Sequence, residues 1–161
     1  MKASFSIRSA KNHDARKIYE FLCEKEEFLF DFREFEVNYR ICIANGDNIY
    51  LVAVDGKNDA TGFISCHGVI VLHEGGFVYE IRELFVEKKY RKIGVARMLL
   101  KALREILAKR IYQALEISVN NTKSELIRFY KKTGFEMTHV KLVHPKGSSI
   151  RKGSRAKNIK C

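Results

Sequence analysis

The residues between positions 83 and 96 form the pattern in this sequence that points most directly to a ligand. A run of strand-forming residues ends at Val86, a short basic loop with Arg91 and Lys92 follows, and Gly94 precedes a predicted helix. A helix N-terminus presents free backbone N–H groups and the positive end of its dipole, so it binds phosphate readily. Glycine lets the backbone approach such a ligand closely. The pattern predicts a pyrophosphate site, but taken alone it fits an ordinary strand-to-helix loop more often.

Two carboxylates just before this loop are candidates for proton transfer. Glu80 and Glu83 could take a proton from an attacking group, directly or through a water molecule. Residues three apart on a regular strand point to opposite faces, so only one of the two can face a substrate. We select Glu83, because it lies where the strands are expected to separate. A solvent-exposed carboxylate without a catalytic role is the alternative.

Two histidines could form a second site. His67 and His73 are six residues apart, which would place both on one face of an unbroken strand. Together with Glu74 or Glu80 they could bind a metal ion or a phosphonate. The spacing matches no established ligand pattern, so we favour two ordinary strand histidines and predict no metal site.

The elements that must position these residues follow from the hydrophobic periods of the sequence. Helical spacing and runs of β-forming residues predict the order β-α-α-β-β-β-α-β-α-β. Three consecutive strands in the middle favour an antiparallel meander. The predicted strands cover residues 4–8, 49–54, 60–72, 77–86, 115–119 and 135–143. The first predicted helix contains Ala15, Ile18, Phe21 and Leu22, and the other three cover residues 32–44, 91–110 and 123–133.

Length and composition predict one domain with a hydrophobic core. The chain has 161 residues, of which 46% are hydrophobic. No apolar run is long enough to span a bilayer, and the first residues lack the apolar region of a signal peptide. The four cysteines have no paired spacing, which disfavours a zinc site or a disulfide framework. Together these features predict a cytoplasmic protein.

Positive charge is concentrated at the C-terminal end. The formal net charge is +11, and residues 145–161 contain six lysines and arginines but no acidic residue. We therefore divide the chain into a domain over residues 1–144 and a basic tail, predicted to be flexible, over residues 145–161. The tail could contact phosphates of a nucleic acid or a cofactor, but a solvated tail is the simpler interpretation.

Three sequence blocks, taken in order, resemble the GNAT superfamily of acetyltransferases. Residues 91–96, RKIGVA, fit its (R/Q)-x-x-G-x-(G/A) signature. Asn120 followed by FYKKTGF at residues 129–135 resembles a second block of that superfamily. IRSA at residues 7–10, with Asp14 after it, resembles the opening strand and helix. Three ordered blocks are far more specific than any one of them.

Within that superfamily the chain is similar to the aminoalkylphosphonate N-acetyltransferases, through EIRELFV at residues 80–86. Further matching residues are Phe32, Phe35, Gly62, His67 and His73. The whole resemblance implies an α/β (α+β) fold with a mixed, mostly antiparallel central sheet of six or seven strands flanked by four helices. It also implies an acetyl-CoA-dependent N-acetyltransferase that acts on a primary amine by direct attack in a ternary complex, with a small aminoalkylphosphonate as a candidate acceptor.

The resemblance also assigns residues to the cosubstrate, acetyl-CoA. The backbone of Leu84, Phe85 and Val86 would pair with the pantetheine arm, and the Val86 N–H would stabilise negative charge on the reacting carbonyl oxygen. Tyr130 would protonate the departing thiolate, and Asn120 would lie near the cofactor. A core tyrosine and a helix cap are the alternative roles of these two residues. The pyrophosphate would bind at residues Arg91, Lys92, Ile93, Gly94, Val95 and Ala96.

Other functions remain open at this point. The acceptor could instead be a protein amine, a polyamine or an aminoglycoside. A function of another class is a non-catalytic module that binds acetyl-CoA or a nucleic acid, which the positive charge favours. The sequence has no RNA-reading aromatic motif, and this argues against a nucleic-acid partner. The expected partner is a small-molecule amine, and no association with a membrane is predicted. The oligomeric state is left open, and a homodimer is one possibility.

Overall fold

A computed structural model describes residues 4–26, 31–120 and 122–144 of the chain. The predicted basic tail, residues 145–161, lies outside the described residues. The strands are β1 (Ser6–Ser9), β2 (Ile49–Val54), β3 (Ala60–Val71), β4 (Gly76–Val86) and β5 (Ala114–Ile117). The α-helices are α1 (Ala15–Glu26), α2 (Phe32–Ala44), α3 (Val95–Leu107) and α4 (Ser124–Lys132). Short 3-10 turns cover Asn12–Asp14, Leu72–Glu74 and Lys88–Tyr90.

The strands form one sheet in the order β1-β2-β3-β4-β5. The first four strands pair antiparallel, and β5 pairs parallel with β4. This confirms the predicted mixed, mostly antiparallel sheet with four helices. The predicted six or seven strands are wrong for the described part of the chain, which contains five.

The missing strand is the one predicted over residues 135–143, which have no regular secondary structure here. From Met137 on, its apolar residues are exposed, including Val140 at 87% and Leu142 at 90%. A half-buried strand is stabilised by packing one face against a core, and in this segment only Phe135 packs against a core layer. Alternating polarity alone therefore did not identify a strand.

Helix α3 begins at Val95, whereas the prediction placed its start at Arg91. Lys92 and Gly94 have φ angles of +65° and +101°. Such left-handed conformations cannot be part of a right-handed helix. The residues of the predicted phosphate loop consequently form a turn that leads into the helix.

Both faces of the sheet are covered by helices. On one face α3 contributes Leu99, Leu103 and Leu107 to a core layer that also contains Tyr130 of α4. On the other face α1 contributes Ile18 and Phe21 to a second layer, with Tyr39 of α2. The apolar stripes predicted for the helices thus lie inward. No helix within the described residues has the length and apolarity needed to cross a membrane.

A buried ion pair holds β1 to the start of α1. The guanidinium of Arg8 donates to both carboxylate oxygens of Asp14 at 2.8 and 2.9 Å, and the Lys11 N–H donates to the same carboxylate at 2.7 Å. Burial opposes the charge of Asp14, but the hydrogen bonds from Arg8 and Lys11 outweigh it, so the pKa of Asp14 lies below its ordinary value. The Tyr39 hydroxyl donates to the Lys11 carbonyl at 2.9 Å and ties α2 to the same junction.

We expect Asp14→Asn to lower the free energy of unfolding by about 2–3 kcal/mol at neutral pH, because it leaves Arg8 without its buried anion. Urea denaturation measures this difference. Since folding lowers the pKa of Asp14, the stabilisation is present above the unfolded pKa of about 4 and is lost as the pH falls through the folded value. The difference between the two proteins should therefore shrink in acid.

A matched control is Glu105→Gln, which changes an exposed carboxylate on α3. Exposed pairs contribute about 0–1 kcal/mol, so this variant should unfold almost as the parent does. An Asp14→Asn protein as stable as the parent at neutral pH would contradict the account of this junction.

Candidate functional site

The candidate site lies where β4 and β5 separate. β4 pairs with β3 along its whole length, as far as the pair Val86 and Gly62. It pairs with β5 only through residues 78–81, opposite residues 114–117. In the described part of the chain, residues 82–86 of β4 thus have a strand on one side only. This one-sided segment of β4 is called the open edge below.

The phase of the hydrogen bonds shows which backbone groups face away from β3. The Glu87 N–H donates to the Thr61 carbonyl at 2.9 Å. Hydrogen-bonded and non-hydrogen-bonded pairs alternate along an antiparallel ladder. The N–H and C=O groups of Leu84 and Val86 therefore point to the open edge, and the Val86 carbonyl accepts from Arg91 Nε there at 2.7 Å. An amide-containing ligand could pair with this edge as an added strand would.

The loop after β4 has the features that an anion site requires. Gly94 directly precedes α3 and has no side chain that could cap the first N–H groups of the helix. A Cβ at this position would meet no heavy atom within 4 Å, so glycine is required here by its φ of +101° rather than by crowding. The first N–H groups of α3 receive no side-chain cap bond, and such groups at a helix N-terminus can bind an anion. The loop residues therefore fit a pyrophosphate.

Arg91 organises this loop rather than reaching over the helix start. Its Nη2 lies 3.5 Å from Glu24 Oε1, and its guanidinium carbon lies 5.5 Å from the centre of the Phe85 ring. Together with the bond to Val86, these contacts fix the loop to the end of β4 and to α1. Lys92, whose φ is also positive, is exposed and adds charge nearby.

A β-bulge in β4 changes which side chains face the open edge. Ser65 of β3 is opposite Glu83, but the next residue, Cys66, is opposite Ile81, so Arg82 is the extra residue. The core layers confirm the shift, because Ile81 and Leu84 contact the same layer although they are three residues apart.

The bulge places Glu80 and Glu83 on one face of the sheet, together with Arg82 between them. This is the face on which α1 and α2 lie, since Phe85 packs in that layer. The prediction that the two glutamates point to opposite faces is therefore wrong. It assumed a regular strand, and the inserted residue reverses the alternation.

Glu83 is held by Ser65. The Ser65 hydroxyl donates to the Glu83 carboxylate, and the Glu83 N–H donates back to the Ser65 oxygen at 3.2 Å. Ser65 is fully buried at 0% exposure. A hydroxyl that donates to a carboxylate favours its charged form and fixes its direction. Sequence reasoning missed Ser65, whose only signal is its position opposite Glu83 in the strand register.

Glu80 is held by two cations. Arg82 Nη1 lies 2.6 Å from Oε2, Lys141 Nζ lies 3.2 Å from Oε1, and the Ser118 hydroxyl donates to Oε1 at 3.0 Å. Burial opposes the charge of Glu80, but the bonds from Ser118, Arg82 and Lys141 outweigh it, so the pKa of Glu80 lies below its ordinary value. Glu80 is consequently a weaker proton acceptor than its sequence position indicates.

Tyr130 lies in the core layer on the opposite face of the sheet, between the rings of Phe129 and Phe135. It is 6% exposed, and burial raises the pKa of its phenol. Among the described residues its hydroxyl has no hydrogen-bond partner, yet the oxygen is not sealed from solvent. A protonated phenol at neutral pH with an unused O–H can donate a proton.

Asn120 forms a local turn. Its side-chain oxygen accepts from the Thr122 N–H at 3.0 Å and from the Thr122 hydroxyl at 2.8 Å, and its carbonyl accepts from the Lys123 N–H. The turn leads into α4 and thus helps to position Tyr130. The N-cap of α4 is Lys123 and it receives no side-chain cap bond, so the alternative role of Asn120 as a helix cap is wrong. A contact of Asn120 with a cofactor stays a prediction.

The two histidines do not form a pair. β3 ends at Val71, and His73 lies in the following 3-10 turn with its side chain 84% exposed. His67 lies on the same face as Glu83 and shares a 2.7 Å hydrogen bond with Tyr50. Burial, with a smaller effect of the Arg82 charge, lowers the pKa of His67. Among the described residues no three His, Cys, Asp or Glu side chains form a cluster that could hold a metal ion.

Comparison with known proteins agrees with this geometry. The sequence matches the Acetyltransferase (GNAT) family over residues 12–135. It is 25% identical over 133 residues to the aminoalkylphosphonate N-acetyltransferase of Salmonella typhimurium, which covers 83% of this chain and 86% of that protein.

Solved structures share the fold. A transcriptional regulator from Bacillus halodurans superposes with a TM-score of 0.81 at 16% identity, over 89% of this chain and 100% of that chain. Glucosamine-6-phosphate N-acetyltransferase from Arabidopsis thaliana superposes with a TM-score of 0.73 at 16% identity, over 88% of this chain and 98% of that chain. Because the family match spans most of the sequence, the chain belongs to the GNAT family of acetyltransferases and is an acyltransferase.

Proposed function

We propose that the protein transfers the acetyl group of acetyl-CoA to a primary amine in a ternary complex, with a small aminoalkylphosphonate as the acceptor. The observation that carries this proposal is the open edge of β4, with Glu83 on one face of the sheet and Tyr130 on the other. A substrate that lies along this edge meets a proton acceptor on one side and a proton donor on the other. The similarity to the Salmonella enzyme supports the choice of acceptor.

The residues present fit acetyl-CoA, which supplies the acetyl group as a thioester. The outward-pointing groups of Leu84 would pair with a pantetheine amide, with Phe85 holding the strand beside it. The Val86 carbonyl is already bonded to Arg91, and the Val86 N–H would stabilise negative charge that develops on the carbonyl oxygen. The loop from Arg91 to Ala96 and the first N–H groups of α3 would hold the pyrophosphate.

Glu83 is the better candidate for the base that accepts the proton of the amine. Glu83 accepts a hydrogen bond from the buried Ser65 hydroxyl and lies beside the open edge, whereas Glu80 is bound by the two cations Arg82 and Lys141. Glu83 would take the proton directly or through water as the amine nitrogen bonds to the acetyl carbon. The carbon–sulfur bond then breaks, and Tyr130 would give its proton to the leaving sulfur.

An acetyl-enzyme route through Cys66 is disfavoured. Cys66 is fully buried in β3, and burial raises the pKa of its thiol to about 12. The thiolate is the nucleophilic form, so this side chain is inert at neutral pH. Direct transfer to the amine is the mechanism that the described residues support.

The proposal is tested by mixing the purified protein with acetyl-CoA and a panel of amines and following the release of free thiol. We expect turnover with an aminoalkylphosphonate well above that with polyamines or aminoglycosides. Turnover with other amines alone would support acetyl transfer to an amine but contradict the proposal that the acceptor is an aminoalkylphosphonate. No thiol release with any acceptor would contradict the proposed reaction.

Replacing Tyr130 with phenylalanine should lower kcat by about 100-fold or more, because general acid catalysis typically contributes 10²–10⁴-fold. The KM for acetyl-CoA should change little. Initial rates of thiol release over a range of pH give both constants. Tyr112→Phe, which removes a hydroxyl from another ring of the same layer, is the matched control. An unchanged kcat at all pH values would exclude Tyr130 as the proton donor.

Replacing Ser65 with alanine should lower kcat about tenfold and move the acid limb of the pH profile of kcat/KM to higher pH. The reason is that the Glu83 carboxylate loses a hydrogen bond that favours its charged form. Thr61→Ala is the control, because Thr61 is another buried hydroxyl of β3 whose partner is the Ala53 carbonyl. A lower rate with an unmoved pH profile would mean that Ser65 only stabilises the fold.

A further inference from the structure

We propose that the groove between α3 and the C-terminal end of α4 binds the phosphate backbone of a single-stranded nucleic acid. Arg97, Lys101 and Arg104 line this groove on the side of α3, and Lys132 lines it on the side of α4. It is called the cationic groove below. The groove shares no residue with the open edge of β4 or with the phosphate loop, so this site does not rest on the proposed acetyl transfer.

The net charge of the described domain comes from the part of the chain that forms this groove. Residues 95–136 contain nine lysines and arginines and four acidic residues, which gives a net charge of +5. The other described residues contain 14 lysines and arginines and 14 acidic residues, so they are neutral overall. Such an uneven distribution produces a positive potential over one surface, and this potential attracts polyanions.

The acidic residues of this segment do not neutralise the cationic groove. Glu116 lies on the other face of the sheet, because it is opposite Glu80 in the register and its neighbours in β5 pack in the layer of α3. Glu125 and Glu136 do not line the groove, whereas Glu105 does. The groove therefore contains four cations and one carboxylate, a net charge of +3.

The cations of the groove are available to a ligand. Within the described residues, Arg97 and Lys132 are exposed and have no ion pair or side-chain hydrogen bond. Lys101 lies 3.7 Å from Glu105, and the two side chains are 79% and 65% exposed. Because an exposed pair of this kind contributes little to stability, a phosphate can replace the carboxylate at Lys101. Lysine and arginine are the side chains that neutralise phosphates in complexes with nucleic acids.

Arg104 fixes the groove and completes a row of cations along α3. Its Nη2 donates to the Thr133 carbonyl at 2.5 Å, and its guanidinium carbon lies 5.2 Å from the centre of the Phe135 ring. Arg97, Lys101 and Arg104 share one face of the helix, with a rise of about 6 Å between the first two and about 4.5 Å between the next two. Cations in such a row can contact successive phosphates of one strand.

The groove fits a phosphate backbone better than an anionic membrane. Helices that bind a membrane surface combine cations with exposed apolar or aromatic side chains that enter the bilayer. Leu100 in the groove is instead 2% exposed, and none of the described lining residues is aromatic. Without aromatic rings that stack on bases, binding depends on the backbone and not on the base sequence. Such binding needs no RNA-reading motif in the sequence.

The proposed site of coenzyme A leaves most of the groove free. Its pyrophosphate would bind at the start of α3, whereas Lys101 and Arg104 lie about 9 and 14 Å further along the helix axis. Arg97 lies in the first turn, close to the proposed pyrophosphate. The test therefore changes Lys101 and Lys132.

Fluorescence anisotropy of a labelled single-stranded RNA of mixed sequence measures the affinity, with the full chain, saturating coenzyme A and about 50 to 200 mM salt. Contacts with three phosphates predict that the affinity of the parent protein falls at least about 20-fold over this range. The double variant Lys101→Gln, Lys132→Gln should bind at least about tenfold more weakly in low salt. Its salt slope should be smaller by about 1.4, since each phosphate contact contributes about 0.7.

The matched control is the double variant Lys11→Gln, Lys57→Gln, which removes two exposed lysines from the neutral part of the domain. Its affinity for the RNA should stay within about twofold of the parent value, because it changes no phosphate contact. Residues 145–161 are present in all three proteins, so the differences report on the groove. An equal loss of affinity in both double variants would show diffuse charge attraction and would overturn the proposal.

Further measurements separate the groove from the proposed reaction and from other partners. Coenzyme A should bind the Lys101→Gln, Lys132→Gln protein as tightly as the parent, which shows that the fold and the cosubstrate site are intact. Loss of RNA binding in this variant would then support the groove even if no amine were acetylated. Absence of RNA binding by the parent protein, or tighter binding of a duplex of the same sequence, would contradict the proposal. Binding to phosphatidylserine vesicles but not to RNA would assign the groove to a membrane instead.

Discussion

The one-sided pairing of β4 beyond Ile81 is the constraint on which the site depends. Buried backbone N–H and C=O groups need partners, and an unpaired strand edge attracts another extended chain. Here β5 follows β4 for four residues and then leaves it, so that residues 82–86 keep β3 on one side only. Arg91 satisfies the Val86 carbonyl at the far end of this edge. The remaining groups of the edge are what a ligand rich in amides can use.

The β-bulge at Arg82 is the second constraint, because it changes which side chains of β4 share a face of the sheet. One inserted residue puts Glu80, Arg82 and Glu83 on the same face of the sheet. The buried Ser65 hydroxyl fixes Glu83 from the neighbouring strand, and Glu80 is neutralised by cations. Two carboxylates of the same type consequently have different partners, and the proposal that Glu83 rather than Glu80 accepts a proton rests on this difference.

The sequence predicted the elements well wherever a regular hydrophobic period was present. The predicted bounds of α2 and β2 are those observed, because each has a clear stripe or run ended by a turn signal. The start of α3 was placed too early, since helical periodicity does not reveal left-handed residues such as Lys92. The strand over residues 135–143 was predicted from alternation, but only Phe135 of that segment packs against a core layer.

The site was only partly accessible from the sequence. The phosphate loop was predicted from the basic residues and the glycine before α3, and the resemblance to the family added the open edge and Tyr130. The roles of all these residues stay proposals. The sequence did not predict the contacts of Ser65, Arg82 and Lys141. For the first two the reason is that an alternation pattern with a period of two residues does not reveal a β-bulge. Lys141 reaches Glu80 from a segment without regular structure, so no pattern along the chain predicts that contact.

The central claim is that the open edge of β4 and the start of α3 bind coenzyme A, and amide hydrogen exchange read by NMR tests it residue by residue. We expect acetyl-CoA to slow exchange at Leu84 and Val86 and at the first amides of α3. The amide of Phe85, which faces β3, should be protected with or without the ligand. Binding of acetyl-CoA that leaves the amides of Leu84 and Val86 unchanged would contradict this claim.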